Sequence, residues 1–236
     1  MFSIDKIEAL YNADFIGKNN DSYIWNEKPN GNPDALLQVE FVFKGGVIRF
    51  VKPGLLDKMK DAFRTNDAGA LRLRKICDGF LFLERNEEHY FIILEVKSGF
   101  KEVKQKAINQ IPASYVKAKS ILNDFVSYNK ADYQEFGLVV SYPYVSRPLT
   151  DSENNPRVME NKRKMIGDKN EIITSKYSDL LKNHQSAVFY GSDFDFDKLT
   201  SVKPDLFFET LQVEHCPVPN KCVTAIVDLD KIINAL

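Results

Sequence analysis

The chain has 236 residues, which is enough to bury a sizeable core in one large domain or two small ones. Hydrophobic residues make up 44% of it and charged residues 28%, so a disordered, collagenous or coiled-coil chain is excluded. The 32 lysines and arginines and the 33 aspartates and glutamates give a net charge of −1. This balance excludes a uniformly basic surface but is compatible with a local basic patch.

The cysteine content and the lack of long apolar runs predict where the protein resides. Cys77, Cys216 and Cys222 are an odd number and too few for a disulfide framework, which favours a reducing compartment. Residues 1–15 carry acidic side chains where a secretory signal would need an apolar core. No apolar run approaches the roughly 20 residues of a membrane span. We therefore expect a soluble, cytoplasmic protein with no membrane partner.

The N-terminal part predicts a short helix and a hairpin. Residues 4–12 have the pattern of a short amphipathic helix. Two apolar runs, 37–43 and 47–51, flank Lys44-Gly45-Gly46. Glycine supplies the positive φ that a tight turn needs, so these residues predict a β-hairpin over 37–51.

A helix and two buried strands follow. Pro53 and Gly54 open a segment with apolar residues at helical spacing. Residues 76–83 and 90–97 are apolar and rich in aromatic and β-branched side chains, and the charged segment 84–89 joins them. Neither run alternates cleanly with polar residues, which indicates central strands of a sheet.

The C-terminal half predicts one long helix and further strands. Residues 100–123 have helical periodicity, and Pro112 is expected to kink this helix or to divide it in two. Runs 136–142 and 186–190 predict two more buried strands.

These elements predict a single domain over residues 1–236, of the α/β class, with a mixed central β-sheet flanked by helices. Its core is expected over about 54–190. The segment 143–175 is polar and interrupted by prolines, which predicts a long loop or insertion. A second hairpin is expected over 206–230.

The strongest functional signal is an acid on one predicted strand and an acid–lysine pair on the next. Glu-x-Lys begins at Glu95, Glu102 and Glu160, but Glu95 alone follows an apolar run within a strand. Burying a charge there is costly unless it is paired or binds a metal ion. Glu95 and Lys97 are two residues apart and so project from the same face of the sheet. A structural ion pair between strands is the competing interpretation.

The register of the predicted hairpin brings a second carboxylate to Glu95. If residue 83 lies opposite residue 90, Asp78 lies opposite Glu95, about 5 Å away at Cβ. Two like charges so placed repel each other unless a cation lies between them. We therefore expect Asp78 and Glu95 to bind Mg²⁺, with Mn²⁺ as a substitute, and Lys97 to act on the metal-bound water or on the phosphate.

Asp78 and Glu95-Val96-Lys97, on paired strands followed by a helix, resemble the PD-(D/E)XK nuclease superfamily, which includes many restriction endonucleases. The resemblance covers about residues 54–142, and Cys77 stands where the signature usually has proline. It implies a restriction-endonuclease-like core and a catalytic set of Asp78, Glu95 and Lys97.

The resemblance also implies that an acid from the first helix can join the site. Asp57 and Asp61 are the candidates there, and Glu40 is a more remote one.

The helix after the motif adds a basic signal. Residues 97–119 contain six lysines and one acid, Glu102. Helical phasing places Lys106, Gln110 and Lys117 on one flank of the apolar stripe, from which they would contact nucleic acid. A solvated helix face is the alternative. Arg72, Arg74 and Lys75 are further candidates for phosphate contacts. Lys162-Arg163-Lys164 is a candidate too, but solubility of the polar insertion is the favoured interpretation there.

A zinc site is the main competing metal centre. His215, Cys216 and Cys222 are zinc-type ligands, but the spacing of the cysteines is unusual and no fourth ligand is evident.

The sequence thus predicts a metal-dependent nuclease acting on DNA, most simply an endodeoxyribonuclease of restriction or phage-defence type. A homodimer or partner defence proteins are compatible with that activity. The alternatives are a catalytically silent DNA-binding or assembly subunit of the same fold, and an RNA-acting nuclease.

Overall fold

A computed structural model describes most of the chain. The described residues are 7–11, 14, 16–27, 36–60, 76–97, 108–125, 127–143, 176, 179–180, 182, 186–194, 204–219 and 221–236. The helices and strands are, in chain order, α1 (Ile7–Leu10), β1 (Ile16–Asn26), β2 (Gln38–Val51), α2 (Pro53–Lys60), β3 (Gly79–Arg85), β4 (Glu88–Lys97), α3 (Ile108–Leu122), β5 (Gln134–Ser141), β6 (Ala187–Tyr190), β7 (Thr210–Pro217), β8 (Thr224–Asp228) and α4 (Leu229–Ile233).

Within these residues the strands form one eight-stranded mixed sheet in the order β1-β2-β3-β4-β5-β7-β6, with β8 pairing beside β2. The first four strands of that order are antiparallel neighbours, and β4, β5 and β7 run parallel. The edge strand β6 is antiparallel to β7. This topology confirms the predicted mixed α/β class. It also places the carboxyl ends of three parallel strands at one edge of the sheet, beside the start of β3.

Both faces of the sheet are buried in its centre. In β3, Phe80 and Phe82 face the layer that contains α1, α2 and α3, while Leu81 and Leu83 face the opposite layer, which contains α4. Strand β4 alternates in the same way. Because each successive side chain finds an apolar layer, these strands are nearly continuous apolar runs, as the sequence predicted.

The predicted hairpin over residues 37–51 is wrong. These residues form the single strand β2, which pairs along both of its halves with β1. Residues 43–46 bulge opposite Asp21, whose carboxylate accepts a hydrogen bond of 2.7 Å from the Gly45 N–H. Gly45 has a φ of +67°. A bulge uses the positive φ of glycine just as a turn does, so Gly45 has the backbone conformation expected of it, in a bulge instead of a hairpin turn.

The predicted hairpin over 206–230 is also wrong. Strand β7 inserts between β5 and β6, whereas β8 pairs in parallel with β2 on the other side of the sheet. The two segments do form strands, as their apolar residues predict. Their partners are distant in sequence, and a local pattern carries no information about them.

Strands 136–142 and 186–190 correspond to β5 and β6. The expected burial is confirmed for β5 but is wrong for β6, an edge strand in which Val188 and Tyr190 are exposed. Pro112 lies inside helix α3 and does not divide it. Nearly all of the predicted insertion 143–175 lies outside the described residues. Among the helices that are described, none has the length and apolar character needed to cross a membrane.

Candidate active site

The β3–β4 hairpin has the register predicted from the sequence. Leu83 pairs with Tyr90 and Gly79 with Leu94, and the turn between the strands is shorter than expected, at residues 86–87. The Asp78 N–H continues the ladder by donating to the Leu94 carbonyl at 3.0 Å. Asp78 therefore lies beside Glu95, although it precedes the strand rather than belonging to it.

Gly79 lets the chain turn into β3 immediately after Asp78. Its φ is +140°, a region in which side chains are strained. A Cβ at this position would lie 2.6 Å from the Val51 carbonyl oxygen and 2.6 Å from the Phe50 ring. The close approach of β2 and the direction of Asp78 both require glycine here.

Asp78, Glu95 and Lys97 are brought together at the edge where β4 ends. The Asp78 carboxylate accepts hydrogen bonds from the Val96 N–H at 2.7 Å and from Lys97 Nζ at 3.3 Å. Lys97 Nζ also contacts Glu95 Oε1 and donates to the Val96 carbonyl at 3.1 Å. The ammonium thus bridges the two carboxylates that the sequence placed opposite each other.

The three side chains differ in exposure. Glu95 has 0% of its side chain exposed, while Lys97 has 13% and Asp78 has 18%. Neither Glu95 oxygen accepts a well-formed hydrogen bond from the described residues. A carboxylate that is fully buried and poorly hydrogen-bonded destabilises the fold. The position of Glu95 is therefore explained better by binding of a cation than by packing in an apolar core.

The charges perturb one another strongly. Burial raises the pKa of Glu95 well above its ordinary value, the Asp78 carboxylate raises it further, and the Lys97 ammonium opposes both. For Lys97, burial alone lowers the pKa, but the carboxylates of Glu95 and Asp78 outweigh burial and the net pKa is raised. Lys97 is therefore a charged ammonium at neutral pH.

The raised pKa of Glu95 predicts how pH affects stability without metal. A group whose pKa is higher in the folded than in the unfolded state stabilises the fold below its unfolded pKa, and that contribution disappears as pH rises through the folded pKa. The ordinary value is 4.5. Metal-free wild type should lose stability as pH rises above it, and Glu95→Gln should lack this loss and melt several degrees higher at neutral pH. Melting curves in EDTA from about pH 5 to about pH 9 measure both. The exposed Glu209→Gln is the control, and parallel profiles for Glu95→Gln and wild type would contradict the prediction.

Helix α3 holds the backbone that precedes Asp78. The Cys77 N–H donates to the buried Ser114 Oγ at 2.8 Å, and the Gln110 side-chain amide donates to the Ile76 carbonyl. Gln110 is predicted to contact nucleic acid, and in the structure its amide nitrogen donates to the protein backbone. Ser114 was not singled out by the sequence, since a serine on the apolar side of a helix gives no signal until its partner is known.

Ser114→Ala is expected to lower the free energy of unfolding by about 1–3 kcal/mol, because it leaves the buried Cys77 N–H without an acceptor. Ser120→Ala is a matched control on the same helix, since the Ser120 hydroxyl donates only to the carbonyl of Val116 in the preceding turn. Urea denaturation of both variants measures the difference. Equal stability of the two variants would show that the Ser114 contact does not hold this segment.

The predicted basic flank is only partly described. Lys106 lies outside the described residues. Lys117 is fully buried, and its Nζ lies 3.4 Å from the Ala113 carbonyl oxygen. In this placement Lys117 does not face solvent, so contact with a phosphate would require the side chain to be uncovered. Arg72, Arg74, Lys75 and 162–164 also lie outside the described residues.

The candidates for a third acid do not complete a metal cluster. Half-buried Asp57 lies on α2, which packs against β3 and α3, and Asp61 lies outside the described residues. Glu40 is remote, because it pairs with Ile226 near the far end of β2. Within the part of the chain that is described, no three acidic, histidine or cysteine side chains gather closely enough to hold a metal ion. The acids that meet here are Asp78 and Glu95.

The zinc-type residues are separated by the strand that carries them. His215 Nε2 lies 3.0 Å from Ser141 Oγ, and the His215 side chain is on the same face of β7 as Val213. Cys216 is the next residue of β7 and packs with Cys222 in the opposite layer. Because side chains alternate along β7, His215 lies on the opposite face of the sheet from both cysteines.

Ser141 and His215 extend the polar edge of the sheet in a way that sequence reasoning missed. Ser141 pairs with Lys97 across the parallel strands β4 and β5. Val139 of β5 pairs with Glu95 of β4 on one side and with His215 of β7 on the other. Both polar residues are almost fully buried. Their proximity to the site depends on parallel pairing between strands that are distant in sequence, which no local pattern indicates.

Comparisons with protein-family models, with curated proteins and with solved structures found no match to this chain. A function for the protein therefore has to be inferred from the chemistry of its own residues. The chemistry considered below is that of two neighbouring carboxylates and a charged lysine at the edge of the sheet where β4 ends.

Proposed function

We propose that the protein is a metal-dependent nuclease that hydrolyses phosphodiester bonds in DNA, with Asp78 and Glu95 as ligands of Mg²⁺ or Mn²⁺ and Lys97 as the third catalytic residue. The observation that carries the proposal is the fully buried Glu95 carboxylate, which lies beside the second carboxylate of Asp78 with the Lys97 ammonium in contact with both. This donor set fits a hard cation, which prefers carboxylate oxygens.

The chain's own residues have distinct tasks in this proposal. Asp78 and Glu95 hold the ion at the edge of the sheet, and Mg²⁺ when bound makes water more acidic and neutralises phosphate charge. Lys97 orients the scissile phosphate and stabilises the negative charge that grows on its oxygens in the transition state. Water oxygen bonds to phosphorus and releases one proton to solvent as the ester bond to the leaving sugar oxygen breaks, and the leaving oxygen takes a proton from solvent.

The order of elements supports the proposed relationship to restriction-endonuclease-like enzymes. Among the described residues, helix α2, the hairpin β3–β4, helix α3 and strand β5 succeed one another as helix, hairpin, helix and strand. This is the order that the resemblance implies for residues 54–142. A role in restriction or phage defence, a homodimer and partner defence proteins belong to the same proposal.

Cleavage assays with the purified chain test the proposal. Supercoiled plasmid, linear DNA and RNA are each incubated with Mg²⁺, with Mn²⁺ and with EDTA. We expect DNA to be cut with either metal and to stay intact in EDTA. Preferential cutting of RNA would favour the RNA-acting alternative, and DNA binding without any cutting would favour the silent subunit.

A matched pair of variants separates the protein's own activity from a contaminant. Asp78→Asn should abolish cleavage. Asp193→Asn should not, since Asp193 is a similarly covered aspartate that pairs with Lys176 beyond β6, away from the site. Equal cleavage by Asp78→Asn and wild type would contradict the assignment of Asp78.

A further inference from the structure

We propose that Lys97 is the internal counter-ion of the metal site: its ammonium occupies the place between Asp78 and Glu95 in the metal-free protein, competes with the divalent cation, and is drawn away by a phosphate group of the substrate. The inference deepens the proposed function and rests on it, because it concerns how the same site is loaded with metal.

The contacts of Lys97 put its ammonium where a bridging cation would bind. Nζ contacts Glu95 Oε1 and lies 3.3 Å from Asp78 Oδ2. A divalent cation held by Asp78 and Glu95 would need the carboxylate oxygens that the ammonium now contacts. Two cations cannot share those oxygens without strong repulsion, so the ammonium must move when the ion enters.

Burial makes this competition strong. Glu95 has no exposed side-chain area, and it gains its countercharge from Lys97. Water cannot screen the pair well at this depth, so each cation that binds there weakens the other substantially. The ammonium consequently stabilises the metal-free fold and disfavours metal binding at the same time.

A bound substrate would offer the Lys97 ammonium a partner other than the two carboxylates. The Lys97 side chain is 13% exposed and lies beside Asp78, which is 18% exposed, at the edge of the sheet where β4 ends. The anionic oxygens of a phosphodiester offer the ammonium a new partner at that edge, and its departure frees the carboxylates for the ion. Metal and nucleic acid should therefore each raise the affinity for the other, since coupling between two binding sites is reciprocal.

The test compares Lys97→Met with wild type and with Lys176→Met. Lys176 forms an ion pair with Asp193 and is also largely covered, which makes it a matched control. Mn²⁺ affinity is measured by titration calorimetry at about pH 8.5, to limit protons competing for Glu95. Melting temperatures are measured in EDTA and in Mn²⁺. A DNA duplex with cleavage-resistant phosphorothioate linkages is then added to each protein.

We expect Lys97→Met to bind Mn²⁺ at least tenfold more tightly than wild type, to melt at a lower temperature in EDTA, and to gain more than wild type from Mn²⁺. The duplex should raise the Mn²⁺ affinity of wild type and of Lys176→Met but change that of Lys97→Met much less. If Lys97→Met does not fold in EDTA, its recovery on addition of Mn²⁺ reports the same replacement of one cation by another.

Two results would overturn the inference: Mn²⁺ binding by Lys97→Met that is no tighter than by wild type, or a duplex effect of equal size in both. Tighter binding by Lys97→Met, together with a wild type that cuts neither DNA nor RNA, would keep the counter-ion role and reject the nuclease. The absence of Mn²⁺ binding in every variant would reject the metal site itself.

Discussion

Lys97→Ala is expected to slow DNA cleavage by about a hundredfold to a thousandfold while changing DNA affinity little. The ammonium acts where negative charge grows on the phosphate, so its loss raises the barrier more than it weakens the ground-state complex. One lysine also contributes little to an affinity that depends on many phosphate contacts. The metal ligands Asp78 and Glu95 remain in place in this variant.

Single-turnover cleavage at saturating Mg²⁺ measures the effect, and fluorescence anisotropy with labelled DNA measures binding. Lys176→Ala is the control, because it removes a covered, ion-paired lysine beyond β6. Lys97→Arg keeps the charge but replaces a compact ammonium with a planar group, and it should recover only part of the rate. A Lys97→Ala variant that cuts at the wild-type rate would remove Lys97 from the catalytic set.

Replacement of Glu135 by leucine is expected to lower the free energy of unfolding by about 3–5 kcal/mol. Glu135 accepts hydrogen bonds from Tyr115 at 2.5 Å, from Tyr128 at 3.0 Å and from Lys119 at 2.7 Å. Lys119 has no exposed side-chain area, and burial lowers its pKa against the opposing pull of Glu135. Without the carboxylate, a buried ammonium would lose the charge that offsets its burial.

A double-mutant cycle separates the ion pair from the loss of packing. Lys119→Met with Glu135→Leu should be much less destabilised than the sum of the two single variants, because it leaves no buried charge. Glu88→Leu is the control, since its carboxylate is 54% exposed and its pair with Arg85 is worth little. Urea denaturation provides the free energies. Additive single effects would show that Lys119 and Glu135 do not stabilise each other.

The Glu135 network also separates stability from catalysis. Glu135 lies near the start of β5, whereas Ser141 at its end pairs with Lys97. About 20 Å of strand lies between them. Glu135→Leu should therefore cleave DNA at the wild-type rate at temperatures where it is folded. Lys97→Ala should cleave slowly although it stays folded at saturating metal.

The errors in the predicted fold have a common physical origin. The polar strand β1 shows no clear apolar alternation, so the true partner of β2 went unrecognised and its glycines were assigned to a turn. Strands β7 and β8 were recognised as strands, but each pairs with a partner that is far away in sequence. A strand's own residues report its burial, and they do not report which edge it will join.

The same distinction applies to Lys117. Its position on the flank of the apolar stripe was derived from helical phasing, but phasing does not say how wide the covered face is. Packing of α3 onto the sheet buries Lys117 as well as Lys119. Ser114 and Ser141 were missed, and His215 was considered only as a zinc-type ligand, for the related reason that a polar residue near a site is recognisable only when its neighbour is known.

Sequence alone determined the central hairpin and the group of Asp78, Glu95 and Lys97. Two adjacent apolar runs joined by a short charged turn can pair in essentially one register, and the period of two along a strand then sets which side chains meet. Only the tertiary structure decided that the Lys97 ammonium bridges both carboxylates, that α3 holds the backbone before Asp78, and that Ser141 and His215 adjoin the site. Those contacts join strands and helices that are distant in sequence, and the packing of the whole sheet sets them.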